Sequence, residues 1–293
     1  RDLVRSRGLG DVYKRQVAQL VIKLLGLVYR LAITNIHGFG DLGNGYYSAG
    51  YQVYAVLLVL SSQGIPGAVS KLVSERTALG EYNNAHRVFK ISLVVFGAIG
   101  LACSLLLYFG ADVIAGNIMH VPPVAYVLRV LAPAIFFVCV SAVVRGYFAG
   151  LGTMGASSIS QSLEQFFNCV LTILFVYATI GRDAYIMAAA GNVSTTLAVL
   201  ISFSYLIHYY RKNIGEYRMK SDDAVKTDRK SNRRMAKLIF WTAIPLTIGS
   251  VISVVTAFID TVTVSNCIQI AFKGILGSKQ ALEEEAMRAP GIL

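Results

Sequence analysis

Residues 17–38 of the chain read VAQLVIKLLGLVYRLAITNIHG. This stretch is mostly apolar, and it reaches the roughly 20 residues that an α-helix needs to cross the hydrocarbon core of a bilayer. It also contains Lys23 and Arg30, and a cation at mid-depth costs about 2.5 kcal/mol or more unless it faces protein or water. The stretch therefore predicts a transmembrane helix with two cations at a polar site. The alternative is that both side chains extend to the headgroups at opposite ends of the helix.

The composition of the chain is also that of a membrane protein. Of its 293 residues, 55% are hydrophobic and 15% are charged, whereas about 25% of the residues of a soluble domain are charged. The formal net charge of +11 does not indicate nucleic-acid binding, because the basic residues lie in loops between apolar stretches, as expected for cytoplasmic loops. The four cysteines stand singly, and with the four histidines they predict no metal site.

The two ends of the chain do not resemble the natural ends of a protein. Residues 11–16 read DVYKRQ, which resembles the translation of a sequencing adapter, and the chain does not begin with Met. Residues 1–16 are therefore excluded from the fold prediction as a non-native leader. The last five residues show no stop-like tail. We expect the chain to be a fragment of a longer protein.

Seven apolar stretches predict an all-α integral membrane protein. The predicted spans are residues 17–36, 46–70, 91–110, 125–148, 157–180, 185–209 and 238–264. The loops that alternate to one side carry 15 Lys and Arg when Arg145, at the cytoplasmic end of the fourth span, is counted with them, whereas those on the other side, through the sixth span, carry only Arg182. The positive-inside rule therefore predicts a multi-pass membrane protein with its N-terminus in the cytoplasm.

The links between the spans set the predicted domain organisation. Residues 38–45, GFGDLGNG, contain no Lys or Arg and predict a short external turn, whereas residues 211–237 are strongly basic and predict a cytoplasmic loop. We expect residues 17–210 to form an N-terminal lobe of six helices and residues 238–293 to begin a second lobe, as in two-lobed transporters. The piece after the seventh span is expected to be external or interfacial.

Three spans carry polar residues at helical spacing. On the first span these are Gln19, Lys23, Gly26, Arg30 and Thr34. On the fifth they are Ser157, Gln161, Glu164, Asn168 and Thr172. On the seventh they are Gly249, Ser253, Thr256 and Asp260. Each set lies on one face of its helix, and lipid offers such groups no hydrogen-bond partner. The three stripes therefore predict a shared, water-accessible central cavity.

Some of these residues have a simpler structural explanation. A basic partner elsewhere in the chain would account for Glu164. Asp260 lies close enough to a helix end for an interfacial position, and Arg129, near the outer end of the fourth span, is expected to be an interfacial anchor.

Five blocks of sequence resemble a known family. They are KLLGL at residues 23–27, GYYSAGYQVY at 45–54, SQGIPGAVSKLVSE at 62–75, RGYFAGLGTMGASSISQSLEQ at 145–165 and AIPLTIGSVISVVTAFID at 243–260. In this order they are similar to the polysaccharide-biosynthesis and stage V sporulation protein B type of membrane protein. This type belongs to the multidrug/oligosaccharidyl-lipid/polysaccharide exporter superfamily, which also includes MATE-like transporters and the lipid II flippases.

The resemblance implies a fold of about 14 helices in two pseudo-symmetric lobes, of which this chain would hold the first lobe and the start of the second. It implies alternating access that moves a saccharide linked to undecaprenyl pyrophosphate outward across the bacterial plasma membrane. Lys23 falls on a basic position of the flippase cavity and Arg30 lies next to a second one. The chain departs from the flippases at Asn44, where they carry an acid, and at Leu57 and Leu58, where they carry arginines. The particular lipid-linked sugar therefore stays open.

The residues themselves fit such a substrate. A pyrophosphate headgroup needs cations in a wet cavity, and Lys23 and Arg30 would supply them. Glu164 and Asp260 are candidates for setting the resting charge or for coupling to a proton or sodium gradient; no other cofactor is expected. Bending is expected at four residues: Gly64, Pro66, Pro133 and Pro245. The expected partners are the lipid-linked saccharide, the bilayer and cell-wall synthesis proteins.

Two other functions stay open at this point. A cation-coupled multidrug antiporter of the same fold would need a membrane-buried carboxylate, for which Glu164 and Asp260 are the candidates. A non-transporting scaffold for envelope or spore assembly is the third class. An enzyme is not expected, because the sequence contains no Gly-x-Ser-x-Gly, HExxH or P-loop motif.

Overall fold

The computed structural model describes Gly26, Tyr29 and residues 31–219, 232–272 and 279–292. Within these ranges the chain forms eight α-helices from Gly40 onward, one π-helical turn and a short helical piece at residues 31–34, and it contains no β-strand. The helices are α1 (Gly40–Ser62), α2 (Ile65–Ala78), α3 (Tyr82–Val113), the π-helical turn Ile114–Ile118, α4 (Val124–Gly150), α5 (Gly155–Ala178), α6 (Ala184–Met219), α7 (Asn232–Phe272) and α8 (Lys279–Ile292).

Six helical units of the described chain are long and apolar enough to cross a membrane. They are Gly40–Ala78, Tyr82–Ile118, Val124–Gly150, Gly155–Ala178, Ala184–Asn213 and Asn232–Ala271. Their length and hydropathy confirm the predicted all-α integral membrane class. The first predicted span lies largely outside the described residues, but residues 31–34 at its end are helical.

The start of α1 differs from the prediction for this segment. Residues 40–45 were expected to be part of a turn, whereas the helix begins at Gly40 and Asn44 is buried in it. The glycine at position 45 serves packing, because a Cβ built there would lie 1.8 Å from the Met287 carbonyl oxygen of α8. The glycines of this segment therefore reflect, at least at Gly45, a close helix contact rather than a turn.

The boundary between α1 and α2 falls inside the second predicted span. α1 ends at Ser62, and Pro66 lies in the first turn of α2, where its missing N–H leaves no hydrogen bond unmade. A Cβ at Gly64 would lie 2.2 Å from Thr247 Oγ1 of α7. The absence of a side chain here lets α7 approach the boundary closely.

Pro133 and Pro245 lie inside α4 and α7, and both helices continue through them. In α4, the Thr196 hydroxyl of α6 donates a hydrogen bond of 2.8 Å to the Val130 carbonyl oxygen, in the turn that precedes Pro133. Neighbouring helices can thus donate hydrogen bonds to backbone groups close to a proline within a membrane helix. Bending at these prolines stays a prediction.

α4 lies at the centre of the bundle and packs against α1, α2, α3 and α6. Membrane helices associate through van der Waals packing, since lipid is as apolar as a leucine side chain, and small residues allow the closest approach. Gly146 and Gly150 of α4 lie on α2, where a Cβ at Gly146 would be 2.9 Å from the Pro66 carbonyl oxygen. The α2–α4 contact therefore depends on these glycines.

The charged and polar ends of the helices extend beyond the predicted spans. α6 continues to Met219 and α7 begins at Asn232, so both helices enter the segment predicted as a cytoplasmic loop. Lys, Arg, Glu and Met are good helix formers, and polarity alone does not end a helix.

At its other end, α7 contacts the segment after the π-helical turn, because Asn266 Oδ1 lies 3.1 Å from His120 Nδ1.

Candidate functional site

A polar cleft separates α5 from α1. α5 packs along α6, and part of its predicted polar stripe faces α1 across open space. Two pockets occupy this cleft, one lined by Asn168 and one by Arg145. We call them the Asn168 pocket and the Arg145 pocket.

The Asn168 pocket has a volume of about 280 Å³. Its lining residues come from the first predicted span (Tyr29 and Ile33), from α1 (Asn44, Tyr47, Ser48, Tyr51 and Gln52) and from α5 (Gln165 and Asn168). Asn168 is held toward α6, because its Oδ1 accepts hydrogen bonds from the Ser194 hydroxyl at 2.8 Å and the Thr195 hydroxyl at 3.3 Å. The pocket therefore combines amides, a serine hydroxyl and phenols on a fixed frame.

The Arg145 pocket has a volume of about 270 Å³ and lies where α4 and α5 approach the α1–α2 boundary. Its polar lining residues are Ser62, Gln63, Arg145, Ser157 and Gln161. Gln161 and Gln63 are exposed. The pocket therefore offers amide groups that can exchange their hydrogen bonds with water for bonds to a ligand.

Arg145, which lines this pocket, forms an ion pair with Glu164 of α5. Arg145 Nη2 donates to Glu164 Oε2 at 2.6 Å and to Ser202 Oγ of α6 at 2.9 Å, and Nε donates to Ser160 Oγ at 3.0 Å. The two charged side chains are 11% and 21% exposed. The arginine therefore links three helices inside the bundle, and Glu164 has the basic partner that was one of its two predicted explanations.

The carboxylate of Glu164 also faces α1. It acts electrostatically on the phenols of Tyr51 and Tyr54, of which Tyr54 is buried and Tyr51 is exposed to the cleft. Tyr51 lines the Asn168 pocket and Arg145 lines the Arg145 pocket.

The remaining predicted site residues are distributed as follows. Asn44 and Asn168 line the Asn168 pocket, and Gln161 lines the Arg145 pocket. Asp260 is exposed on α7, lines neither pocket and forms no salt bridge with another described residue. Lys23 and Arg30 lie outside the described residues. Within the described residues, Gln161 and Asn168 of the α5 stripe thus line pockets that α1 also lines, whereas Gly249, Thr256 and Asp260 of the α7 stripe line neither pocket.

Sequence reasoning missed the central part played by Arg145. The sequence places Arg145 at the cytoplasmic end of the fourth predicted span, which ends three residues later. One signal was present in the sequence: Ser194 and Ser202 of α6 and Ser160 of α5 place hydroxyls at membrane depth, and such groups need partners there.

Comparison with known proteins identifies the family. The model of the polysaccharide biosynthesis protein family matches residues 15–278 of the chain. The chain belongs to this family.

Two curated relatives of this polysaccharide biosynthesis family member come from Bacillus subtilis strain 168. Stage V sporulation protein B is 30% identical over 197 residues, which cover 64% of this chain and 37% of that protein. The lipid II flippase MurJ is 25% identical over 271 residues, which cover 88% of this chain and 49% of that protein. The chain therefore spans about half the length, or less, of these relatives.

A solved structure shares the fold of this family member. A MOP superfamily transporter from Pyrococcus furiosus superposes with a TM-score of 0.64 at 16% identity, covering 94% of this chain and 61% of that one. The polysaccharide biosynthesis family member therefore has the helical fold of this transporter superfamily.

Proposed function

We propose that the protein to which this chain belongs moves a saccharide linked to undecaprenyl pyrophosphate outward across the bacterial plasma membrane by alternating access. The cleft between α1 and α5 carries the proposal, because it presents charged and amide groups within membrane-length helices. A hydrated anionic headgroup needs such groups to replace its water, while the polyprenyl tail remains in lipid. The relative that is a lipid II flippase supports the same class of substrate.

In this proposal, Lys23 and Arg30 bind the pyrophosphate. Tyr29 and Ile33 of the first predicted span line the Asn168 pocket, which supports a contribution of this span to the site. Asn44 and Asn168 would then bind the saccharide hydroxyls through their amides. Glu164, which is paired with Arg145, would set the resting charge of the cleft. Asp260 is the carboxylate proposed to couple transport to a proton or sodium gradient.

The charge of the cleft supports an anionic substrate over a cationic drug. A cation antiporter would use a carboxylate that is free to bind the drug or the coupling ion, whereas Glu164 is paired with Arg145 at 2.6 Å. The pair leaves no net negative charge in the described part of the Arg145 pocket. We therefore place the multidrug antiporter second.

The proposal is tested with the complete protein in proteoliposomes, by following outward movement of a fluorescent undecaprenyl-pyrophosphate-linked saccharide. The double variant Lys23→Ala with Arg30→Ala should lower the transport rate by about tenfold or more, because each lost charge-assisted hydrogen bond is worth about 1.5 kcal/mol or more.

The matched control replaces two lysines outside the cleft. Lys71 and Lys90 are both exposed and line neither pocket, so Lys71→Ala with Lys90→Ala should transport at the wild-type rate. Undiminished transport by the Lys23 and Arg30 variant would contradict the proposal. Efflux of a cationic dye from the same proteoliposomes, in place of saccharide transport, would support the antiporter.

A further inference from the structure

The Arg145 pocket contains an arginine that is fixed in place, although some of its N–H groups donate no hydrogen bond to a described residue. Its Nε and Nη2 groups donate to Ser160, Glu164 and Ser202. Its Nη1 group makes no hydrogen bond to another described residue, and it is not among their fully buried, unpartnered atoms. A planar guanidinium held on one edge can present the remaining N–H groups to an oxyanion with little loss of side-chain entropy.

The start of α5 faces the same pocket. α5 begins at Gly155, and no described side chain caps its first turn. Met154 and Ser157, on either side of this start, both line the pocket. The backbone N–H groups of a helix N-terminus carry a partial positive charge and bind phosphate and carboxylate groups.

Neutral hydrogen-bond donors complete the lining. The exposed amides of Gln161, one turn further along α5, and of Gln63, at the α1–α2 boundary, both border the pocket. A volume of about 270 Å³ is sufficient for a phosphate or pyrophosphate group with some of its water. Donors therefore converge from three separate segments of the chain on one space.

Glu164 limits the strength of this site. Its carboxylate neutralises Arg145 at 2.6 Å, so an incoming anion competes with it for the guanidinium. An anion held in this way binds moderately and can leave again, which a transport path requires. Removal of the Glu164 charge should therefore strengthen anion binding, whereas a purely structural ion pair would give no such gain.

We infer that the Arg145 pocket binds a phosphate group, at a position distinct from Lys23 and Arg30. That this phosphate belongs to a polyprenyl lipid rests on the proposed function. In that case the pocket would hold the pyrophosphate of the substrate near the α1–α2 boundary at one stage of transport.

The test measures binding to the complete purified protein by isothermal titration calorimetry, with inorganic pyrophosphate as one probe and undecaprenyl pyrophosphate in nanodiscs as the other. Glu164→Gln should tighten binding of the probe by about tenfold, since it leaves the guanidinium charge uncompensated. Arg145→Gln combined with Glu164→Gln should weaken binding by about tenfold relative to wild type. Gln161→Leu, at an exposed position, should weaken binding by about threefold through the loss of one neutral hydrogen bond.

The matched control is Arg129→Gln with Asp112→Asn, which removes another ion pair of α4 that lines neither pocket. It should bind both probes as wild type does. Binding of both probes supports a site for the phosphate itself, and binding of the lipid alone supports a site that also requires the carrier. Weaker binding in Glu164→Gln, or no change in both the Gln161 variant and the double variant, would overturn the inference. Because binding is measured without transport, a protein that binds pyrophosphate here but moves no saccharide would refute only the proposed function.

Discussion

The two ion pairs of α4 join similar charges in different surroundings. Arg129 pairs with Asp112 of α3 near one end of the helix, and the two side chains are 39% and 65% exposed. Arg145 pairs with Glu164 near the other end, where the side chains are 11% and 21% exposed and two serines complete the contacts. Surface pairs contribute about 0–1 kcal/mol, whereas breaking a buried pair costs about 3–5 kcal/mol. An arginine–carboxylate pair on α4 is therefore a peripheral contact at one end of the helix, whereas at the other end it joins three helices inside the bundle.

The largest expected effect comes from leaving Arg145 unpaired. Glu164→Leu should lower the free energy of unfolding of the complete protein by about 3 kcal/mol, because a largely buried guanidinium loses its counter-charge. Thermal unfolding in detergent measures this loss. Asp112→Leu is the control at the exposed pair, and an equal loss in both variants would show that burial does not distinguish the pairs. Arg145→Gln with Glu164→Gln should regain most of the stability, since no charge is left without a partner.

An intermediate effect is expected from Ser202, which connects the buried pair to α6. Its hydroxyl accepts from Arg145 and donates to the Ser160 carbonyl oxygen at 2.9 Å. Ser202→Ala should therefore lower the free energy of unfolding by about 1–2 kcal/mol, measured in the same assay. Ser204→Ala serves as control, because Ser204 is exposed and donates only to the Leu200 carbonyl of its own helix. A control loss as large as that of Ser202→Ala would contradict the role assigned to the network.

The smallest effect is expected at the exposed pair. Asp112→Asn should change the free energy of unfolding by less than about 1 kcal/mol, and the difference from wild type should shrink further at about 1 M salt, where charges are screened within about 3 Å. Unfolding at low and high salt measures both values. A loss that persists at high salt would show that Arg129 and Asp112 are more than an interfacial contact.

Hydropathy was sufficient to predict the membrane helices, because each span must satisfy its own backbone and expose apolar side chains to lipid. It could not predict where helices end in water. Residues 40–45 carry glycines that resemble a turn, and only the position of α8 shows that Gly45 is a packing contact. Hydropathy also does not predict that α6 extends to Met219, because charged residues occur both in loops and in exposed helices.

The sequence predicted which face of α5 carries the polar residues of the candidate site. It did not predict which residues of the other helices contact them. The spacing of Gln161, Glu164 and Asn168 placed them on one face of α5, and all three border the cleft or its ion pair. Their neighbours depend on how helices distant in sequence pack, and no periodicity reports that arrangement. Arg145 of α4 and Ser202 of α6 both contact α5, because these two helices pack against it. The sequence alone does not show this packing.

The contact between α8 and α1 has a mechanical consequence. At Gly45 the backbone of α1 meets the Met287 carbonyl of α8 with no side chain between them, and Ala286 and Met287 are fully buried. A side chain could rotate away to release such a contact, but a backbone cannot. Any side chain at position 45 would therefore force the two helices apart, so the approach of α8 to this end of α1 depends on a single glycine.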